Sequence, residues 1–437
     1  MKMSLIFLLM MASIAVAAQQ ISPGAYSLQQ AVDTALKNRY DLQANQYNVL
    51  MAVNTIGRAK KEWIPVVTGN GTIRYNAQLQ ATYIPAGFGG LTEPTLLALG
   101  AKSVTILGLD LNQAIYRPAI RSNINIAKNN LEWQKERNRQ AEIDIKVKVT
   151  EAYLNVLLKD LQQKIAGDNE QRYKEYAEIA EGKFRQGTLL ENDHLRAALD
   201  YNNSRIQTEI ARQHYRIALD QLKYEMNLPA ATAVTLTDTI GTAVISNTST
   251  TASPDNRTEV RQLLFQQYDN KLQLKKAKES VLPTVSLIAN YSQQFLYEKF
   301  EYGRSRWWSP FSYVGVTFSL PITDHIKNAH QIREYQQRIR QTELNLLQRQ
   351  TDIAYEIQQS EATLRNAERN LQIMKSNYAL SGTIYENQRR QYSLGSFEYN
   401  DLLDTERSLN TAEQNYVKVV YDLLVAKVAY EKALDNF

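Results

Sequence analysis

The chain has 437 residues, 44% of them hydrophobic and 22% charged, with 10 prolines and 17 glycines, enough for two ordinary cores of roughly 100 to 200 residues each. This composition excludes a disordered or collagen-like polymer, and the absence of cysteine excludes disulfides, thiolate nucleophiles, thiolate zinc sites and a lipid on an N-terminal cysteine, while leaving the redox compartment open. The net charge of +5 is a small remainder of 50 basic and 45 acidic residues spread along the chain, so no concentrated basic patch offers itself to nucleic acid, and the negative mean hydropathy argues against a bundle of membrane-spanning helices.

Residues 1–18 read as a cleaved secretory signal peptide: Lys2, an apolar run from Leu5 to Ala17, and the small-residue site Ala15-Val16-Ala17-Ala18. A retained anchor is the alternative, but the run is shorter than the ~20 apolar residues a spanning helix needs. No later segment approaches ~18 consecutive apolar residues, which leaves a soluble, peripheral or barrel-forming exported chain.

The remainder divides into two halves with the same order of parts, 19–229 and 256–437, joined by a Ser/Thr/Ala-rich stretch at 230–255 that reads as a linker or a wrapped surface segment. Ala59 to Val67 recurs as Ala277 to Val285, Gly108 to Gln113 as Gly315 to Leu320, and Gly187 to Leu195 as Gly395 to Leu403. Each half opens with a helical segment, Leu28 to Glu62 and Thr258 to Val281, the first with an apolar stripe at Ala31, Ala35, Leu42, Tyr47 and Leu50. Proline then ends each helix, at Pro65 and Pro283.

A strand of period two follows, with Val67, Gly69, Gly71, Ile73, Tyr75, Ala77 and Leu79 on one face and Thr68, Asn70, Thr72, Arg74, Asn76 and Gln78 on the other. Val285, Leu287, Ala289 and Tyr291 repeat the apolar face in the second half. Loops come next, Pro85 to Gly90 and Tyr302 to Pro310, and then a second strand in each half, where Leu107, Leu109 and Leu111 correspond to Val314, Val316 and Phe318. Four strands per chain result.

Long helices are expected over Ala119 to Gln186 and Asp324 to Gln391, about 100 Å each at 1.5 Å per residue, so they need lateral packing along a seam such as Leu154, Leu157, Leu161 and Ile165. The chain turns at Gly187 and Gly395 and returns through helices Leu189 to Met226 and Phe397 to Leu434. Two shorter helices end to end match one long helix, so a helical rod topped by strands is expected.

Four amphipathic strands leave unpaired edges, and closure removes them. One chain cannot close a barrel, whereas two chains bring eight strands and three bring twelve. The strands are long enough to cross an outer membrane when tilted, and Trp63, Trp307 and Trp308, with neighbouring aromatics, sit at strand ends where interfacial girdles belong. The other reading of the same spacing is a soluble sandwich whose apolar face packs on a helix.

These residues resemble the TolC-like outer membrane efflux proteins, the outer membrane factors of tripartite export systems, over nearly all of the mature chain. The carriers are Tyr26 to Val32 with Ala35 to Asn38, the joints ending at Pro65 and Pro283, the strand Val314 to Pro321, and the paired turns Phe184 to Gly187 and Tyr392 to Gly395. The resemblance implies a mainly α fold with a small β part: a homotrimer with a twelve-stranded outer membrane β-barrel continuing into a periplasmic α-helical tunnel. It also implies a location in the outer membrane lipid with a large periplasmic part, and partners in a periplasmic adaptor (membrane fusion) protein and an inner membrane transporter.

Asp401 and Asp404 lie three apart, on one face of a return helix near its N-terminus, and a trimer would turn them into two rings of three carboxylates that attract cations. Compensation of the helix dipole on a solvated face is the bland alternative. The resemblance implies that these aspartates line the channel constriction, that Tyr392 and Asp193 help latch the closed tip, and that the turns at Gly187 and Gly395 dock the adaptor. Phe397 stands where the family usually has an arginine, so an arginine-based latch is not expected.

No catalytic constellation is found. His325 and His330 lack a metalloprotease arrangement, His194 and His214 stand apart, and neither a phosphate loop nor a nucleophile elbow occurs, so no cofactor or metal is expected. The functional readings are an export duct for small molecules or proteins, a secreted coiled-coil scaffold or adhesin without a pore, and a periplasmic hydrolase. The strands favour the first and the missing catalytic site disfavours the last.

Overall fold

The computed structural model describes residues 24–240, 257–394, 396 and 399–437. The signal peptide expected at 1–18, most of the linker beyond Ile240, and the positions of Gly395 and Phe397 lie outside the described residues. The chain packs as two compact units, each drawing on both halves of the sequence: one takes described parts of 1–43, 139–257 and 351–437, the other 44–138 and 258–350. The repeats follow the sequence, whereas these units follow packing, and the two divisions cut the chain differently.

Helix α1 (Leu28–Asn38) starts at a capping box, in which Ser27 and Gln30 each accept a hydrogen bond from the other's backbone N–H. The single opening helix expected over 28–62 is split here: Arg39 is extended, and α2 spans Tyr40–Lys61. At the break Arg39 makes one local ion pair, with Asp41 at 2.7 Å, and one tertiary pair, with Glu225 at 2.8 Å. On α2 the expected stripe is also corrected. Leu42, Ala52 and Ala59 are buried, with Val49 and Ile56 half-buried at the same helical spacing, whereas Tyr47 and Leu50 face outward.

Short strand β1 (Gly24–Tyr26) pairs in parallel with β6 (Val234–Leu236), which places the start of the expected linker in a sheet. Asp238 then accepts hydrogen bonds from the Leu28 N–H at 3.0 Å and the Tyr153 hydroxyl at 2.8 Å, tying this segment to α1 and to the helix that carries Tyr153. The core of this unit includes the seam residues Leu154 and Leu157, with Leu161 and Ile165 packed against it.

The other unit holds a four-stranded antiparallel sheet in the order β2 (Val66–Tyr75), β5 (Ser103–Tyr116), β7 (Thr284–Tyr297), β8 (Trp308–Ser319). The register aligns the apolar positions across all four strands, as in the row Val67, Leu111, Ala289, Val314. The adjacent row, Thr68, Asp110, Asn290 and Tyr313, is polar, and Asp110 accepts hydrogen bonds from the amides of Asn70 and Asn290 on its two neighbours. Gly108 is required by close approach, because a Cβ there would meet the Ser292 hydroxyl. Between β2 and β5 lies an unforeseen hairpin, β3 (Ala81–Ile84) with β4 (Thr95–Ala98), where a loop was expected. Gly87, Gly89 and Gly90 at its tip adopt positive φ, which glycine tolerates.

The long helices are as expected in kind: α3 (Pro118–Arg185) has 68 residues and α6 (Asp324–Ser393) has 70. Pro118 occupies the first helical position, where its missing N–H is harmless. The return helices α4 (Glu191–Glu225) and α7 (Tyr399–Ala433) have 35 residues each, and α5 (Thr258–Glu279) leads into β7. Among the described residues no helix is long and apolar enough to cross a membrane.

Candidate functional site

The turn after α3 is built on Gly187, whose φ of 72° places it in the left-handed region. The Gly187 N–H donates to the Phe184 carbonyl at 2.9 Å and the Thr188 N–H to the Lys183 carbonyl at 3.0 Å, closing the orphan carbonyls of the helix end. Glu191 and Asp193 then occupy the first turn of α4, where carboxylates suit the positive end of the helix dipole. His194 stacks on Phe184 with ring centroids 5.1 Å apart and planes within 3°.

Tyr392, near the end of α6, is buried in a cluster with Tyr176, Ala180, Ala197, Tyr385, Leu402 and Leu403. The Lys183 ammonium lies 4.0 Å from the centre of its ring. Burial pushes the Tyr392 phenol up, with the negative charge of Asp193 as the lesser cause.

Helix α7 presents two different faces at its start. Leu402, Leu403, Glu406 and Leu409 are buried, whereas Asp401 and Asp404 are both exposed. Asp404 pairs with Arg407 at 3.0 Å, but both side chains are mostly solvated, so the pair contributes about 0–1 kcal/mol. The aspartates therefore project together from the face that does not pack within this chain.

The aromatics expected at membrane interfaces fall at opposite ends of the sheet. Trp63 lies in the turn between α2 and β2, its carbonyl accepting from the Gln113 amide at 2.8 Å. Trp307 and Trp308 lie at the far end in a ring cluster, Trp307 4.8 Å from Tyr297 and Trp308 5.4 Å from the buried Phe295.

Sequence reasoning missed the polar centre beneath the aspartates. Arg172 of α3 donates from Nε to Glu406 Oε1 at 3.0 Å and from Nη2 to both carboxylate oxygens of Glu413 at 3.2 Å. Its guanidinium also sits 5.5 Å from the ring centre of Tyr385, whose hydroxyl is hydrogen-bonded to that of Tyr176. Burial pushes both glutamates up, and Arg172 offsets this only in part. Burial likewise holds the Tyr385 phenol up at about 12. A signal was available: Leu402, Glu406, Leu409, Glu413 and Val420 follow the 3.5-residue repeat of a packed helix, which puts two carboxylates on the seam.

Among the described residues no group of three His, Asp or Glu side chains is arranged to hold a metal ion. His330 and His214 are exposed on helix surfaces.

An exposed amphipathic sheet with aromatic ends, joined to helices of 68 and 70 residues, defines the barrel-plus-helical-tunnel fold of outer membrane channels. The family model for "outer membrane efflux protein" matches residues 31–226 and 254–436, and the chain belongs to that family. The fold is shared with CusC, at a TM-score of 0.75 and 16% identity over 93% of this chain and 91% of that one. It is shared with the Campylobacter jejuni CmeC outer membrane channel, at 0.70 and 16% over 93% and 85%, and with VceC of Vibrio cholerae, at 0.71 and 14% over 93% and 95%. No curated relative matches the sequence at a significant level. The chain is thus an outer membrane efflux protein by family, with the fold of solved outer membrane channels.

Proposed function

We propose that three copies of this chain close into the duct, β8 of each pairing with β2 of the next to make a twelve-stranded barrel. The observation that carries this is the sheet itself: β2 and β8 are its outer strands, and its apolar face is bare, with Val314 76% and Phe318 64% exposed. A bare apolar face and two open edges are stable only when lipid covers the one and a neighbour covers the other. The duplicated order of parts over 19–229 and 256–437 supports the reading, since each half would bring two strands and a helical pair. Extraction of the outer membrane in mild detergent should yield a trimer that forms conducting pores in planar bilayers. A non-conducting monomer in the soluble fraction would refute the trimeric duct.

In this reading the exposed Asp401 and Asp404 of three chains face one another as the constriction, Trp63 and Trp307–Trp308 mark the two membrane interfaces, and the turns at Gly187 and Gly395 receive a periplasmic adaptor that links the duct to an inner membrane transporter. The duct carries out no bond chemistry, and cargo is chosen by the transporter. Tyr392 and Asp193 latch the closed tip, supported by the burial of Tyr392 and by the lesser effect of the Asp193 charge on its phenol. Asp193→Ala and Tyr392→Phe should each raise the open fraction of single channels several-fold, and wild-type gating in both variants would remove them from the latch.

A further inference from the structure

The channel reading leaves the buried centre on α3 and α7 without a role, and its charge does not balance. Two carboxylates face one guanidinium in a place that water scarcely reaches: the Glu406 side chain is 0% exposed, Glu413 3% and Arg172 16%. We propose that Arg172, Glu406 and Glu413 form a proton-sensitive lock, in which one proton shared by the two carboxylates keeps the start of α7 seated on α3, and loss of that proton as the pH rises loosens the tip of the duct. This rests on the channel reading and adds its regulation.

Among the described residues, the groups bonded to the two carboxylates are Arg172, Tyr176 and Asn169, of which only Arg172 is a cation. On α3, Asn169 is a neutral partner, Asp168 adds negative charge near Glu413, and the Tyr173 and Tyr176 phenols are held up by burial. On α6, burial likewise holds Tyr378 and Tyr385 up, and Arg389 is taken by Glu175 at 2.5 Å and Glu386 at 3.5 Å. On α7 itself, Arg407 pairs with Asp404. The groove between α3, α4 and α7 into which Glu413 opens carries Lys159, Asp200, His214 and Lys418, and Asp200 is itself pushed up by burial. With both glutamates ionised, the centre keeps one uncompensated negative charge; a single proton removes it while Arg172 retains a charged partner.

The direction follows from linkage. Burial raises the two carboxylates in the folded chain, so the folded state holds more protons than the unfolded one between the ordinary carboxylate range and the raised value. The stabilisation is complete below the ordinary range and is lost as the pH climbs through the raised one. Helix α7 is thus seated most firmly in acid and least firmly in alkali, with a change of up to about tenfold per pH unit in the locked-to-loosened ratio while one proton is exchanged.

The test uses the full-length trimer in detergent. Hydrogen exchange of backbone amides at 402–413, corrected for the intrinsic pH dependence, is compared at pH 5.5 and 8 for wild type, Glu413→Gln and Glu406→Gln, and single-channel open fractions are recorded over the same range. Wild type should lose protection and open more as the pH rises, and at least one glutamine variant should stay protected and closed at both values. The Asp401→Asn/Asp404→Asn background separates this from titration of the constriction and should keep the wild-type pH response. Protection in wild type that is independent of pH, or glutamine variants that follow the wild-type profile, would overturn the lock even where the pores conduct normally. Failure of every variant to conduct would count against the channel reading instead, and the exchange data would still decide the lock.

Discussion

Arg172→Met should be among the most destabilising single changes in the helical part of this protein. It removes the guanidinium that pairs with both Glu406 and Glu413, leaving two carboxylates with side chains 0% and 3% exposed. Breaking a buried ion pair in this way typically costs about 3–5 kcal/mol, far more than the intact pair contributes over a well-packed apolar replacement. The loss should depend on pH, because stranded carboxylates escape by protonating: the thermal midpoint of the variant in detergent should fall strongly at pH 8 and much less at pH 5. Adding Glu406→Gln and Glu413→Gln to Arg172→Met should recover most of the loss at pH 8. An equal loss at both pH values, with no rescue, would mean that the arginine acts by packing alone, through its stem and its contact with the Tyr385 ring.

Removing the exposed carboxylates should leave stability nearly unchanged and alter permeation. Even at the dielectric constant of water a carboxylate about 4 Å from a passing cation contributes about 1 kcal/mol, and about 1.4 kcal/mol is tenfold in a ratio. Asp401→Ala with Asp404→Ala should therefore lower the cation-to-anion permeability ratio by about tenfold or more in planar bilayers at ~0.1 M salt, where the screening length is still about 10 Å. The two positions should differ. Asp404 is paired with Arg407 at 3.0 Å, so part of its field is already cancelled, and Asp401→Ala alone should reduce selectivity more than Asp404→Ala alone. Unchanged selectivity in the double variant would move the constriction elsewhere.

Both predictions concern α7, and they show how differently its two faces could be read in advance. The spacing of Asp401 and Asp404 is a local property, visible as two acidic residues one turn apart near a helix start. The pairing of Arg172 with Glu406 and Glu413 spans 234 and 241 positions, and no periodicity within one helix announces it. What the heptad pattern of α7 does announce is that two glutamates fall on a seam otherwise filled by Leu402, Leu409 and Val420. A buried charge on a packing seam calls for a partner, but only the packed helices identify it.

By itself the sequence determined the elements of greatest local strength: two long helices with no proline beyond the first position and almost no glycine, strands whose alternation survives in the register Val67, Leu111, Ala289, Val314, the turn at Gly187, and the doubled order of all these parts. These follow from rules that act over a few residues, namely steric propensity, hydrophobic period and glycine's tolerance of positive φ. Tertiary structure alone decided the pairing of Arg39 with Glu225, the parallel pairing of β1 with β6, the β3–β4 hairpin and the Arg172 centre. Each of these depends on a backbone edge or a charge finding its complement elsewhere in the fold, and that free energy exists only once distant segments have excluded water together.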